Sequence, residues 1–303
     1  MLFAFLHILF AYGECILEKT DILLREFLIL SLFTVLFANT HAQTVRSPVS
    51  AAYPGMGAYS NNHIDVFSFH ANQATLAKIT SLSAGIYSEK RFLVKELSLY
   101  NAVVTLPAHS GNFGLDARYC GFTDYNETQL GLAYARSLGN KVDVGVQFNY
   151  YGVRVAGYGN SSSINFEVGT ILHLTGKLNA GVHIYNPTGS KLGKNGEEKL
   201  ASQYSMGFGY EASEIFFISI EIEKEEEKPV NVNAGLQYKF LPQVLARIGI
   251  SAATSSVYFG IGFGWKSMRL DAMASYHPQL GITPGLMLLV PLSPKGESKK
   301  ENN

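Results

Sequence analysis

Residues 128–151 read TQLGLAYARSLGNKVDVGVQFNYY and alternate almost without a break. Leu130, Leu132 and Tyr134 fall on one face, with Gln129, Gly131, Ala133 and Ala135 on the other. After the turn SLGNK, Val142, Val144, Val146, Phe148 and Tyr150 share a face opposite Asp143, Gly145, Gln147 and Asn149. Side chains on a strand point alternately to its two faces, so this stretch predicts a hairpin with one apolar and one small or polar face. A water-soluble barrel turns the apolar face inward, whereas a membrane barrel turns it to lipid.

The pattern recurs along the chain. Strands are expected near 81–88, 96–106, 112–121, 128–137, 142–153, 163–175 and 178–186, and again near 201–211, 215–223, 230–240, 244–252, 257–266, 268–276 and 284–292. That is about fourteen strands of about ten residues, an even number and a length that spans a bilayer. The connections after odd strands, such as FTDYNE, RVAGYGNSS and NPTGSKLGKNGEEK, are mostly longer and more charged than those after even strands, such as SLGN, TGK and LPQ. Outer-membrane barrels show this asymmetry, with tight periplasmic turns, which places both mature termini in the periplasm. VYFGIGFGW puts Val257, Phe259, Ile261, Phe263 and Trp265 outward against Tyr258, Gly260, Gly262 and Gly264. Tyr150, Tyr185, Tyr210, Tyr238 and Tyr276 fall near strand ends, where an interfacial aromatic girdle is expected. The fold class read from this is all-β, a transmembrane antiparallel barrel of about fourteen strands with an N-terminal helical plug. A secreted soluble β-sandwich is the blander alternative.

Composition narrows function. Formal net charge is zero and only 16% of residues are charged, so nothing favours nucleic acid. Arg25, the apolar run FLILSLFTVLF and ANTHAQ fit an export signal cleaved after Ala42, preceded by an overlong residues 1–24. No apolar run long enough for a spanning helix follows Gln43, so a membrane location requires a closed barrel. Only Cys120 remains after Gln43, which leaves no internal disulfide and no metal-binding cysteine spacing. The expected organisation is a leader over 1–42, a plug over 43–80, a barrel over 81–292 and a polar tail over 293–303. In the plug, Asn62 is read as the cap of a helix over HIDVFSFHANQATLA, with Asp65 in its first turn.

GMGAYS and the later HANQATLA resemble the N-terminal signature of the FadL-like outer-membrane proteins, in the branch containing PorV and PorQ of the type IX secretion system. In that branch a G-x-G-A is followed by N-P-A-x-L-A. Gly55, Gly57 and Ala58 match the first part, and Asn72, Ala74, Leu76 and Ala77 the second; Gln73 stands where the family has Pro. The resemblance implies a barrel with an N-terminal hatch and a source in the Bacteroidota. It also implies one of two activities. Hydrophobic small molecules would pass by the hatch and a lateral opening, gated by the hatch helix or by strand irregularity near Pro107. Alternatively, the protein is an accessory of secretion that captures partner proteins on outer loops such as 189–199.

The candidate lumen-lining residues are Asp116, Arg118, Asp143, Gln147, Glu167, His173, Arg247, Arg269 and Asp271, with Asn149, His183, Asn233, Gln237 and Lys239 on the same inward positions. Their mixed signs predict ion pairs across the lumen. No enzyme is expected: His173, His183 and His277 lie on strands or at a strand end, and no G-x-S-x-G nucleophile turn is present. GFGY and GIGFG have no following helix and are not nucleotide loops. No cofactor or metal is expected. The expected partners are outer-membrane lipid and either an apolar small molecule or secretion-system proteins.

Overall fold

The computed structural model describes residues 59–193 and 198–292. The leader 1–42, the motif residues Gly55, Gly57 and Ala58, and the tail 293–303 lie outside the described residues.

The strands are β1 (Ser83–Lys90), β2 (Ser98–Leu106), β3 (Asn112–Gly121), β4 (Tyr125–Leu138), β5 (Val142–Val155), β6 (Gly159–His173), β7 (Leu178–Tyr185), the short pair β8 (Lys191–Leu192) and β9 (Glu198–Lys199), then β10 (Gln203–Ser213), β11 (Phe216–Glu225), β12 (Asn231–Leu241), β13 (Val244–Ser251), β14 (Ser256–Trp265), β15 (Met268–His277) and β16 (Gly281–Pro291). All but β8 and β9 form one closed antiparallel barrel of fourteen strands. It closes through β1 and β16, from Ser83↔Pro291 to Glu89↔Gly285. Closure pairs both edges of the sheet, and a sandwich of two sheets is thereby excluded.

The barrel is inside out relative to a soluble one. Leu130 and Phe148 are 51% and 61% exposed, whereas Gln129 and Gln147 are fully buried. Ile261 and Trp265 stand outward in the same way. Tyr150, Tyr210 and Tyr276 are exposed on this surface, but Tyr185 is buried, and its hydroxyl accepts from Asn165 inside the barrel. Its inward position follows from the alternation of β7, in which Asn179, Gly181 and His183 also point inward.

Several loops contract. FTDYNE and RVAGYGNSS leave only 122–124 and 156–158 as connections, because β4, β5 and β6 run on as paired strands beyond the apolar band. Only 91–97 and 186–202 stay long at that end, and the second carries the β8–β9 ribbon. The wall near Pro107 is regular: β2 and β3 pair without a shift from Leu99↔Cys120 to Leu106↔Phe113. Register shifts occur instead at Glu211/Ser213 and Lys239/Leu241. A gate made by strand irregularity near Pro107 is therefore not what this wall provides.

Candidate functional site: the barrel interior

Residues 59–79 lie against inward-facing side chains of the wall. They do not form the helix read from Asn62. Two short 3-10 turns occur, Ser68–His70 and Gln73–Lys78. The second is capped by Asn72, whose side chain accepts from the Ala74 amide. Asn62 is diverted to the wall: its side-chain amide donates to Glu211 at 2.5 Å. Asp65 accepts from Arg269 and lies 3.7 Å from Arg247.

Glycine explains how the segment comes so close. A Cβ on Gly145 would lie 2.5 Å from the Gln73 carbonyl carbon and 2.6 Å from the Ala74 nitrogen. One on Gly169 would overlap the Asn72 side chain. Gly181 and Gly207 face the Tyr59 ring, and Gly85 faces Phe67. The inward glycines on these strands clear space for backbone and rings that a methyl group would exclude.

The interior carries a polar network. Glu167 accepts from Gln73 (2.5 Å) and Asn149 (2.7 Å), and its other oxygen contact is His183 at 2.9 Å. Asp143 meets His173 at 2.7 Å and Lys78 at 3.3 Å. Gln147 donates to Asn149 at 2.7 Å. Asp271 holds both Arg247 (2.7 Å) and Arg269 (2.9 Å), and Arg247 also donates to Gln237, which meets His63 at 2.6 Å. Asp116 lies 2.8 Å from Arg118 and 3.1 Å from His70. Most of the predicted lumen residues are buried within the barrel and engage each other or residues 59–79, whereas Lys239, beside a register shift, is only partly buried. The matching motif residues are also internal: Asn72, Ala74 and Leu76 are fully buried or nearly so.

Two important contacts were missed at the sequence level. Glu211 accepts from Ser60 Oγ at 2.7 Å and from the amides of Asn61 and Asn62. Glu221 accepts from the Tyr59 hydroxyl at 2.6 Å. The available signal was the alternation itself, which puts Gly207, Gly209 and Glu211 on one face.

Apolar side chains share strands with these groups: Met273 follows Asp271 on β15, and Tyr151 follows Asn149 on β5. Phe67, Phe69 and Leu76 of the segment join Tyr87, Leu99, Val103, Tyr151, Met273 and Met287 of the wall in one contiguous cluster. Leu200, from the long connection, belongs to it, and Leu192 packs against it. The cluster therefore reaches from the segment to the end of the barrel where 186–202 crosses. A buried polar row, Asn101↔Arg118↔Gln129, runs beside it in register across β2, β3 and β4. Both amides are buried with no hydrogen-bond partner.

Seating of the segment is linked to protons. Burial holds His70 below the ordinary histidine value, and Arg118 pushes the same way, against Asp116 and Glu167. Burial also lowers His63, against the pull of Glu211 and with the help of Lys239 and Arg247. A histidine lowered in the seated state gains its proton more readily when the segment leaves. Seating is then fully stable above about pH 6.5 and weakens as pH falls below it. Amide exchange over 67–72, corrected for intrinsic rates, should be faster at about pH 5 than at about pH 7.5. His70→Gln should flatten the difference, and equal wild-type protection at both values would remove the linkage.

Solved structures resemble this barrel. The CymD monoaromatic hydrocarbon channel superimposes with a TM-score of 0.61 at 13% identity, covering 82% of this chain and 98% of that one. The Ralstonia pickettii toluene transporter TbuX gives 0.57 at 12% identity over 80% and 96%. A Pseudomonas aeruginosa FadL homologue gives 0.52 at 10% identity over 82% and 97%. The chain shares their fold. No protein-family model matches the sequence. No curated protein matches it either.

Proposed function

We propose that this chain is a non-enzymatic outer-membrane barrel that passes apolar small molecules, with residues 59–79 acting as its plug. The observation that carries this reading is the contiguous apolar cluster inside the barrel, from Leu200 to Phe67 and Leu76. Interiors of water-filled barrels are polar; here Phe67, Phe69 and Leu76 of the segment cover an apolar stripe, which an apolar molecule would meet when the segment shifts. Met273 and Met287 suit one, because methionine adapts its shape to varied partners. The outward band of leucine, isoleucine and phenylalanine is what a bilayer solvates. The fold shared with a hydrocarbon channel and a toluene transporter supports the same assignment.

Residues 1–42 complete this reading as the export leader, the tight-turn end as the periplasmic one, and the PorV/PorQ branch of the Bacteroidota as the lineage. The secretion-accessory reading is weaker: Leu200 of the 186–202 connection is buried in the interior cluster rather than offered to a partner.

Deleting 62–78 tests the proposal. Vesicles carrying the deletion should take up a fluorescent apolar probe faster than those with the intact chain. Unchanged uptake, with the barrel still folded, would sink the plug. No uptake in either case would sink transport.

A further inference from the structure

The outer wall carries a concavity of about 600 Å³. Its floor is Ala102 and Ala117, directly paired on β2 and β3. Ile86 and Leu130 continue that row on either side and stand 59% and 51% exposed. The next row, toward the 91–97 connection, holds the paired rings of Tyr100 and Tyr119. Ser88 and Thr128 flank those rings in register. Two small side chains among tall ones make a saucer in a surface that is otherwise studded with large side chains. The size falls within the roughly 300–1,000 Å³ range of small-molecule sites.

Its polarity is graded. The floor and the rest of its row are hydrocarbon, whereas the outward hydroxyls of the site, on Ser88, Tyr100, Tyr119 and Thr128, lie in the next row. The β1–β2 and β2–β3 ladders beneath it are unbroken, so the saucer is a recess in a closed wall. The surrounding surface is the exposed apolar band, and the medium that covers such a band is lipid.

We propose that this recess is a binding site for one acyl chain of a bilayer lipid, with the polar end of the lipid toward Tyr100 and Tyr119. The proposal rests on the reading that the barrel stands in a bilayer. The chain lies over Ala102 and Ala117, and the hydroxyls of Tyr100, Tyr119, Ser88 and Thr128 meet its ester region. Tyrosine suits that level because its ring is apolar and its tip is wet.

The protein reconstituted in nanodiscs with a phospholipid bearing a photoreactive acyl chain provides the test. After irradiation, adducts are mapped by peptide mass spectrometry. Adducts should be about tenfold more frequent over 98–121 than on the opposite wall over 216–241. Ala102→Phe fills the recess and should erase the excess while labelling elsewhere stays constant. Tyr119→Ala, which removes the rim without adding bulk, should lower the excess independently. Equal labelling around the barrel would overturn the site but leave the bilayer reading intact. Absence of labelling anywhere would overturn both. An excess produced by a free photoreactive fatty acid but not by the phospholipid would overturn the choice of occupant.

Discussion

Gly145→Val should release the 72–78 turn from the wall and leave the barrel closed. The added side chain would run into the Gln73 and Ala74 backbone, which cannot rotate away as a side-chain tip could. Overpacking costs about 1–3 kcal/mol where neighbours can adjust, and backbone neighbours place this variant at the upper end. Each 1.4 kcal/mol is a factor of about ten, so the unseated population should rise roughly tenfold to a hundredfold. The measurement is apolar-probe uptake together with protease cleavage within 72–78. Gly264→Val is the matched control, because its Cβ would meet only atoms at 3.7 Å or beyond. If both variants behave like wild type, the close approach of segment and wall is not what holds the segment in place.

Glu211→Gln should unfasten the beginning of the segment. The carboxylate now gathers donors from Ser60, Asn61 and Asn62 on its two oxygens. The amide replaces one acceptor by a donor and removes the charge. Hydrogen bonds to charged groups are worth about 1.5–3 kcal/mol each. Exchange of the Asn61 and Asn62 amides should therefore accelerate about tenfold to a hundredfold. Strand amides in β10 and β11 should keep their protection. Unchanged exchange at Asn61 and Asn62 would show that backbone packing, not Glu211, holds this turn.

The wall was legible in the sequence because one rule governs it. A strand with an apolar outer face on one side and packed protein on the other must alternate, and alternation survives single-sequence reading. Where the strands leave the apolar band, the signal fades but the backbone pairing does not. Asn126↔Arg154 still pair in register, although neither residue type announces a strand. The segment was read less well for a different reason. HIDVFSFHANQATLA has the composition of a short helix, and Asn62 has the chemistry of a cap. Its real partner, Glu211, lies 149 residues further on and is invisible to any local rule. The same is true of Asp65, claimed by arginines on β13 and β15 rather than by a helix dipole. The inward identity of the lumen residues followed from parity. Their pairing did not, because it depends on which side chains of the segment and the wall meet inside the barrel.

The contacts of residues 59–79 extend from Gly85 on β1 to Arg269 on β15. The segment thus resembles a mandrel around which the sheet is wound. It precedes every strand in the chain, yet several of its anchors belong to the last third. A sheet wound without it would close around inward glycines and carboxylates that lack the groups they now meet. Truncating the segment should therefore slow or misdirect closure even though no residue of it belongs to the sheet.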